Sequence, residues 1–528
     1  MIKNNQYIVI GSGPSGVSCA TALLKKKNIK VLMLDTGYEL EKDLELEAKK
    51  LYKIDHSKWP KETFNTKPDL YYKGVPLKKL FGSNFTYQIS QPYTYKFKKE
   101  IGIRPSFAKG GFSNIWGGAI MPSYKNDILD WPISFKKLKP YYKKVVKLFD
   151  ITGQKDSLSK YFPTFKNKLT KLNLSEQGEA IYKFLNKNEK KLKKKGFFFG
   201  RSRLAFNKKK YGGHKDGCIY CGLCLTGCPK NIIYSSVSTL QNLKKNKNFE
   251  YLPGITVTSL KENNSKVLIN AFENKSKEKI SLSGQKVFVG AGVLQTTSII
   301  ANTLKLKEHK FEIKDKSLIY LPLLFKKSFS KIYNQETNTL SQIFFEIMDK
   351  KITKKFIHGQ LYLYNKLYDR EINKYLLPLK LLIPKIIEKL VSRLTVLQIY
   401  LHSDYSSKLI FHYNSTKPHE IVLEEIRNNK TDDVVKKILQ KIKQNRKITG
   451  LYPLIFYKKL ATAGHSYHSG GTMPMERIKT KEISTDLLGR PNNLKRIHCI
   501  DASILPSIPA TTITLTIMAN AYRIGSES

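Results

Sequence analysis

The sequence has no long hydrophobic run, and it is poor in cysteine and in acidic residues. Its 528 residues contain no stretch of about 20 apolar residues, so no membrane-spanning helix is predicted. The first apolar run, residues 7–10, is too short for the hydrophobic core of a signal peptide. Six cysteines in a chain of this length exclude a disulfide-dense secreted scaffold. These absences predict a cytoplasmic protein.

Acidic residues are outnumbered by basic ones, 42 Asp and Glu against 93 Lys and Arg, which gives a formal charge of +51. Such an excess raises the question of nucleic-acid binding. The lysines, however, are spread along the whole chain, and the densest run, residues 187–195, lies in no recognisable nucleic-acid module. We therefore expect no nucleic-acid partner. An anionic lipid or an acidic glycan fits this charge better.

The first motif that carries chemistry is a glycine-rich turn near the N-terminus. The apolar run 7–10 is followed by GSGPSG at residues 11–16, a helix-like stretch, and a second apolar run that ends on Asp35. Strand, Gly-x-Gly-x-x-Gly turn, helix, strand and acid is the order of a dinucleotide-binding unit. The glycines allow the backbone to approach a pyrophosphate at a helix N-terminus, and Asp35 is placed to bond a ribose hydroxyl.

Three further blocks give this turn a context. They are GGFSNIWGG at residues 110–118, VFVGAGVLQT at residues 287–296, and the segment from His465 to Ile524. Together with the first turn, and in this order, they resemble the glucose-methanol-choline (GMC) family of FAD-dependent oxidoreductases. The resemblance spans the chain, although residues 160–200 and 305–460 match poorly. It implies an α/β fold (α+β overall) and an enzyme that uses FAD to oxidise a CH–OH group.

The resemblance also implies how the chain is organised. A Rossmann-like FAD-binding domain is expected from three separated segments, 1–150, 215–304 and 461–528. An inserted substrate domain with an antiparallel sheet is expected from the two remaining segments, 151–214 and 305–460. With 528 residues, 41% of them hydrophobic and 11% aromatic, the chain is long enough for two such domains and a large core.

Local patterns predict individual elements. Ser134 has the residue type of an N-cap before a helix at residues 135–149. Residues 398–402 and 408–412 alternate as strands of the substrate-domain sheet do. Residues 375–397 contain an apolar stretch and then, after a proline, hydrophobic residues at helical spacing with cations on the opposite face. An ordinary surface helix and an interfacial helix that contacts a membrane both fit that last pattern.

Four of the six cysteines have the spacing C-x2-C-x2-C-x3-C-P: Cys218, Cys221, Cys224 and Cys228. In ferredoxins this run surrounds one face of an iron–sulfur cluster with thiolates. A bacterial type of GMC sugar dehydrogenase carries a three-iron cluster in the corresponding region, whereas some GMC alcohol oxidases carry a similar run without an established cluster. We expect the four thiolates to ligate a 4Fe-4S or 3Fe-4S cluster. Structural thiols and a four-thiolate zinc site are the alternatives.

The resemblance also assigns the catalytic residues. GMC enzymes remove the hydroxyl proton of an alcohol while hydride passes from its carbon to flavin N5, and a histidine near its ordinary pKa suits the base. His468, four residues before Thr472, occupies the matching position. The family commonly places a second histidine or an asparagine just before the final helix, where this chain has Thr512. A threonine hydroxyl can bond a substrate oxygen but is a poor base.

The residues that would hold FAD follow from the same motifs. Gly11, Gly13, Gly16 and Asp35 are assigned to the ADP half. The ring system, the pyrophosphate and the ribityl chain are assigned to residues of the later blocks: Gly111, Ser113, Trp116, Ala291, Asp501 and Ala502. Some relatives attach the flavin to a histidine just before the loop tryptophan. Ile115 stands there in this chain, so the resemblance implies non-covalent FAD.

The leading prediction is an FAD-dependent dehydrogenase that oxidises a CH–OH group, on a sugar or polyol. Its electrons would pass through the iron–sulfur cluster to a quinone, a cytochrome or a ferredoxin-like carrier. A redox-neutral flavin-dependent sugar isomerase or epimerase is one alternative, and an oxygen-using GMC alcohol oxidase with structural cysteines is another. The expected location is the cytoplasm, with peripheral contact at the inner face of the membrane through residues 375–397 left open. Three tyrosines in the poorly matching region are candidates for stacking on carbohydrate: Tyr362, Tyr364 and Tyr368.

Overall fold

A computed structural model describes most of the chain. The described residues are 6–55, 58–59, 71–72, 75–98, 100–209, 217–330, 336–365, 368, 373, 383–478 and 482–528, with the side chains of 71–72 and 75–76 left out. They form a mixed α/β structure in which one parallel sheet and several antiparallel sheets are joined by helices.

The parallel sheet collects strands from three distant parts of the sequence. Its order is Ile497–Cys499, Lys286–Val289, Gln6–Ile10, Lys30–Asp35 and Phe249–Pro253, and every neighbouring pair is parallel. The three inner strands are almost wholly buried. Strands covered on both faces are expected to be continuously apolar, as these are. This sheet is the core of a Rossmann-like unit, as predicted.

Helices cover the parallel sheet and bring the two ends of the chain together. The first helix, Pro14–Leu23, packs against the last one, Thr514–Glu527. The hydroxyl of Ser18 donates to the carbonyl of Met518 at 2.7 Å, which ties the two helices across their contact. Small residues such as Ser18 and Gly525 allow this close approach, since a Cβ at Gly525 would lie 2.9 Å from the carbonyl oxygen of Cys19.

The largest sheet is antiparallel, and its strands come from the two segments that were expected to form the substrate domain. Six of its seven strands are, in order, Leu451–Pro453, Leu318–Phe325, Leu394–Tyr400, Ile357–Leu363, Ile343–Ile347 and Phe197–Arg201. The seventh, Lys459–Leu460, pairs with Leu318–Phe325. The helices Glu176–Lys187 and Lys430–Gln444 supply apolar faces to a second hydrophobic cluster with these strands.

Two smaller sheets complete the architecture. One is antiparallel and contains Ile255–Glu262, Val267–Glu273 and Lys279–Gly284. The other contains Glu308–Lys314, Lys408–Asn414, Glu420–Ile426 and Thr94–Phe97. The predicted strands 398–402 and 408–412 correspond to observed strands, but they belong to two different sheets.

The remaining described elements are short or peripheral. Two short antiparallel pairs join Tyr71–Tyr72 to Val75–Pro76 and Asp150–Ile151 to Ala205–Phe206. The other α-helices are Lys42–Lys53, Phe135–Val145, Glu189–Lys194, Ser236–Leu243, Val293–Thr303, Pro384–Val391 and Arg446–Thr449. None of the described helices is long and apolar enough to cross a bilayer.

Two local predictions can be compared with these elements. Ser134 caps the helix Phe135–Val145 as predicted, because its side chain accepts a hydrogen bond from the amide of Lys137. The helical pattern expected through Leu397 is wrong beyond Val391. There the chain begins the strand Leu394–Tyr400, which is hydrogen-bonded on both sides within the largest sheet. Residues 375–382 of that prediction lie outside the described part of the chain.

Candidate active site

A cavity of about 1230 Å³ runs between the parallel sheet and the largest antiparallel sheet. Its wall contains residues 10–15 and 501–502 at one end, and His468 and Thr512 farther along. Every residue predicted to bind FAD lines this cavity except Gly16, which lies beneath the glycine turn. The structure therefore brings the two ends of the chain around one space, as the sequence predicted.

The glycine turn forms the nucleotide end of the cavity. A Cβ at Gly16 would lie 1.9 Å from the carbonyl oxygen of Gly11, so any side chain there would clash with the turn itself. A Cβ at Gly13, in contrast, would meet nothing within 4 Å, because Gly13 faces the open cavity. Gly13 is the N-cap of the helix Pro14–Leu23. An open space at a helix N-terminus fits a pyrophosphate.

Asp35 lies at the end of the second parallel strand and is bonded to the turn. Its carboxylate accepts hydrogen bonds from the hydroxyl of Ser12 and, at 3.2 Å, from that of Tyr251. Burial raises the pKa of Asp35 to about 6. Ser12 also accepts from the amide of Gly110 at 2.8 Å, so this serine joins the glycine turn to the loop 110–118.

The loop 110–118 borders the middle of the cavity, and its side chains are fixed from behind. The hydroxyl of Ser113 bonds the carbonyl of Gly110 at 2.6 Å and exchanges bonds with Ser236. The indole of Trp116 donates to the carbonyl of Tyr234 at 2.6 Å. Gly111 has a φ of +55°, and a Cβ at this position would lie 4.0 Å from the Cα of Gly13. Ser113 and Trp116 therefore support the loop as well as line the cavity.

Asp501 joins the third and fourth blocks. Its carboxylate accepts from the amide of Gly292 at 2.9 Å and from the hydroxyl of Thr296 at 2.5 Å. It also accepts from the amide of Ser503 at 2.9 Å, which caps the short helix Ala502–Ile504. Thr296 in turn accepts from the amide of Ala291. Asp501 is a capping carboxylate that also faces the cavity.

His468 lines the cavity, and neither of its ring nitrogens has a hydrogen-bond partner among the described residues. Its Nδ1 is fully buried. The ring meets that of Tyr400 edge-on, with centroids 6.3 Å apart. Burial, together with the nearby Lys316 and His358, keeps the pKa of His468 well below its usual value. A neutral imidazole without a partner is able to accept a proton from a bound molecule.

The dipeptide Asp315–Lys316 holds the two loops that carry the predicted catalytic residues. Asp315 accepts from the amide of Gly464 at 2.6 Å and from the hydroxyls of Ser466 and Ser469, at 3.1 and 2.8 Å, on both sides of His468. Lys316 donates to the carbonyls of residues 510 and 511 at 3.0 and 2.8 Å, directly before Thr512. We name this pair the loop clamp.

Thr512 is buried in the cavity wall and is held by the backbone of the irregular segment that follows the loop 110–118. Its hydroxyl oxygen accepts from the amide of Met121 at 2.8 Å. A hydroxyl that accepts one bond can still donate its own hydrogen, and the described residues offer no acceptor for it. Thr512 is therefore able to donate a hydrogen bond to a molecule in the cavity. His465 is buried, and burial lowers its pKa to about 4.

The end of the cavity near His468 contains residues of which sequence reasoning found only some. Four tyrosines and two glutamines of the largest sheet and its connections line it: Tyr320, Tyr362, Tyr368, Tyr400, Gln360 and Gln398. Tyr362 and Tyr368 were candidates, whereas Tyr364 does not line the cavity. The tyrosine hydroxyl at 362 donates to Gln360 at 3.2 Å, and Gln360 contacts His358, which is bonded to Glu346 at 2.6 Å. The signal available for these positions was the alternation of side chains between the two faces of each strand.

The four cysteines of the ferredoxin-like run lie in a turn beside the cavity. Leu225 and Thr226, between the third and the fourth cysteine, line its wall. Burial raises the pKa of all four thiols, to about 11 for Cys221. The described residues include no group of three or more His, Cys, Asp or Glu side chains that could hold a metal ion. The predicted iron–sulfur cluster therefore has no structural support, although its cysteines are close together.

Comparison with known proteins adds information at the level of the fold. No family model and no curated protein matches the chain. Among solved structures, pyridoxine 4-oxidase from Mesorbium loti is similar, with a TM-score of 0.62 and 11% identity over 99% of this chain and 98% of that one. A formate oxidase from Aspergillus oryzae, studied for modification of its FAD, gives a TM-score of 0.61 and 11% identity over the same shares of both chains. From end to end, this chain shares the fold of these two oxidases.

Proposed function

We propose that this protein is an FAD-dependent oxidoreductase that oxidises a CH–OH group, on a sugar, a polyol or a related small alcohol. One observation carries the proposal. A histidine without a hydrogen-bond partner, His468, lines the same cavity as the glycine turn of a dinucleotide site. The similarity in fold to two enzymes named as oxidases supports it.

The chain offers a suitable place for each part of FAD. Gly13 and the helix N-terminus behind it would hold the pyrophosphate, Asp35 a ribose hydroxyl, and the loop around Trp116 the ring system. When bound, FAD supplies the acceptor for the hydride that leaves the substrate carbon. The residue directly before Trp116 is Ile115 and not a histidine, so we propose that FAD is held without a covalent bond.

The side chains at the substrate end would handle the proton and orient the substrate. His468 would take the hydroxyl proton, and its depressed pKa keeps it in the neutral, accepting form at pH 7. Thr512 would donate a hydrogen bond to the same substrate oxygen. The loop clamp would hold both residues in register, because it bonds the backbone or hydroxyl groups that flank each of them.

Replacement of His468 tests the proposal directly. In His468→Ala we expect alcohol oxidation to fall by about 10²-fold or more, because proton removal loses its base. Flavin content should stay at the wild-type level, since His468 is not among the residues of the nucleotide end. The measurement is stopped-flow reduction of the bound flavin by a substrate found in an alcohol library. A near-normal rate in this variant would contradict the assignment.

The final electron acceptor is a separate question with two candidate answers. Both similar structures are named as oxidases, which favours oxygen. The ferredoxin-like spacing favours a dehydrogenase with a protein or quinone carrier, but we assign no electron step to these cysteines. Peroxide formed in proportion to substrate under air, without an added acceptor, identifies an oxidase. Dye reduction in the absence of peroxide identifies a dehydrogenase, and net electron release of either kind excludes a redox-neutral isomerase.

We also propose that the cytoplasmic face of a membrane is a peripheral partner. Two short segments beside the cavity expose large hydrophobic side chains, and we name them the apolar rim: residues 383–386 and 452–460. Phe456 is 99% exposed and Ile386 is 62% exposed. The rim also carries exposed cations such as Lys385 and Lys458. Exposed apolar side chains beside lysines suit an anionic lipid surface.

A further inference from the structure

Two lysines at the substrate end of the cavity have no hydrogen-bond acceptor among the described residues. Lys79 is buried and Lys78 is partly buried, and both line the cavity. Neither Nζ is fully enclosed by protein atoms, so both ammonium groups have access to the open space of the cavity. An anionic group of a bound molecule is able to pair with them there.

The position of the Lys78 ammonium is fixed by its neighbours. Its Nζ lies 3.7 Å from the point that a Cβ on Gly117 would occupy, and the hydroxyl of Tyr362 lies 3.8 Å from the same point. Gly117 has no side chain, so a space remains between the ammonium, the hydroxyl and the loop that follows Trp116. Tyr362 is held from behind through Gln360. Its hydroxyl would donate to a molecule in that space by exchanging the bond to Gln360 for one to that molecule.

The charges around this space have one sign. Five cations line the cavity, and the only carboxylates that do so among the described residues are Asp35 and Asp501, both engaged at the nucleotide end. Among the described residues, Cys224 is the acidic group whose charge would act on Lys78. Burial raises the pKa of that thiol, so it stays uncharged and does not pair with the ammonium.

We propose that Lys78, assisted by Lys79 and the hydroxyl of Tyr362, forms a subsite for the anionic group of the substrate. The substrate would then be an alcohol that also carries a carboxylate or a phosphate, such as a hydroxy acid, an acidic sugar or a sugar phosphate. The inference deepens the proposed function, since it names the class of alcohol. Anion binding itself does not depend on that function.

Binding of anions that cannot be oxidised tests the subsite without turnover. Malonate and inorganic phosphate are titrated by calorimetry into the FAD-loaded wild type, Lys78→Met, Lys78→Arg and Lys458→Met. Lys458 is the matched control, because it lines the exposed mouth of the same cavity. We expect one anion per wild-type chain and an affinity about 10- to 100-fold weaker in Lys78→Met. Lys78→Arg should recover part of the loss, and Lys458→Met should match the wild type.

Rates of turnover show whether the subsite favours a substrate with a carboxylate or one with a phosphate. Glycerol, glycerate and glycerol 3-phosphate, with glucose, glucuronate and glucose 6-phosphate, are compared as substrates of the wild type and of Lys78→Met. We expect the variant to lose the preference for the anionic members and to keep the rate of the neutral ones. Equal anion affinity in wild type and Lys78→Met would overturn the proposal. So would lower FAD content in that variant with unchanged malonate binding, because Lys78 would then pair with the cofactor.

Discussion

Among single residues, the buried carboxylate of Asp315 has the widest influence on the candidate site. It accepts hydrogen bonds from Gly464, Ser466 and Ser469, and it forms the loop around His468 without touching the histidine ring. Burial raises the pKa of Asp315 to about 6. Protonation turns one of its two oxygens from an acceptor into a donor, so the hydrogen bonds that hold the loop around His468 must rearrange.

We therefore expect kcat/KM to fall by about tenfold per unit as the pH decreases below about 6. In Asp315→Asn the amide oxygen still accepts but does not titrate, so this step should be absent. His468 titrates at a lower pH, because its pKa is well below its usual value. The measurement is a pH profile of wild type and variant. A step near pH 6 that persists in Asp315→Asn would assign it to another group.

The stability profile provides the control for this prediction. The folded-state pKa of Asp315 lies above its ordinary value of 3.8, so protonation of this group stabilises the fold. That contribution is fully present below about pH 4 and is lost as the pH rises through about 6. Between pH 6 and pH 5 the activity should therefore fall, while the contribution of Asp315 to the free energy of unfolding does not. Thermal unfolding measured at each pH checks this.

The glycine turn gives a second prediction, from two neighbouring glycines with different surroundings. In Gly16→Ala the new Cβ overlaps a backbone carbonyl, and we expect the apoprotein to lose about 3 kcal/mol or more of unfolding free energy. Gly13 has a φ of −62° and an open surface, so Gly13→Ala should change apoprotein stability by less than about 0.5 kcal/mol. Its new methyl group nevertheless lies where a pyrophosphate would approach, so FAD affinity should fall by about tenfold or more.

Urea unfolding of the apoprotein and titration with FAD separate these two effects. Equal loss of stability in both variants would mean that the turn is strained at Gly13 as well. Unchanged FAD affinity in Gly13→Ala would place the cofactor elsewhere.

At the residue scale, a motif that fixes the backbone located residues of the cavity wall, and their role in binding a cofactor stays a prediction. Gly11, Gly13 and Asp35 belong to a turn whose geometry is local, and they line the cavity as expected. Asp315, Lys316 and Lys78 could not be found in the same way. Each acts through contacts with residues more than a hundred positions away, and an isolated Asp or Lys in a lysine-rich chain carries no signal of its own.

At the scale of elements, the cysteine turn tests how far spacing alone can be trusted. The run still predicts about three or four iron atoms per chain, with a similar amount of acid-labile sulfide. Anaerobic purification followed by iron and sulfide quantitation measures this. Cys221→Ser should lose the metal, and Cys19→Ala, which changes a buried thiol of the first helix, should not. Protein that is free of iron and sulfide after anaerobic purification would leave the turn with a structural role.

Elements with strong local signals were predicted well, and elements set by tertiary pairing were not. The capped helix that follows Ser134 begins where the sequence places it. Leu394 and Leu397 continue a helical spacing from Pro384, yet they lie in a strand because neighbours on both sides offer backbone partners. The sequence also does not indicate that 398–402 and 408–412 enter different sheets, since strand alternation says nothing about the partner.

At the scale of the whole molecule, the positive charge and the apolar rim lead to a prediction about membranes. We expect the protein to sediment with phosphatidylserine-containing vesicles at low salt and to be released as salt is raised, because surface attraction is screened. Phe456→Asp combined with Ile386→Asp should reduce binding. Leu129→Asp, which changes another exposed apolar side chain at 75% exposure outside the rim, should bind as the wild type does.

Binding of this double variant at the wild-type level would remove the rim from the proposal. Equal sedimentation with pure phosphatidylcholine vesicles would show that charge is not involved.

The overall architecture could be predicted from the sequence, because four motifs in a fixed order define it. The fold class and the discontinuous nucleotide-binding unit follow from those motifs. The domain boundaries stay a prediction. The cavity wall near His468 could not be predicted from the sequence. Its strands lie within residues 305–460, where the side chains match no family motif.

The order of strands in the parallel sheet has a consequence for biosynthesis. The central strand, Gln6–Ile10, leaves the ribosome first, and one of its neighbours, Lys286–Val289, follows about 280 residues later. The edge strand Ile497–Cys499 is made about 210 residues after that one. At about 5 to 20 residues per second, the nascent sheet waits roughly 25 to 100 s with apolar edges uncovered. The cavity beside this sheet is therefore completed late, and heterologous expression should benefit from chaperones and slow induction.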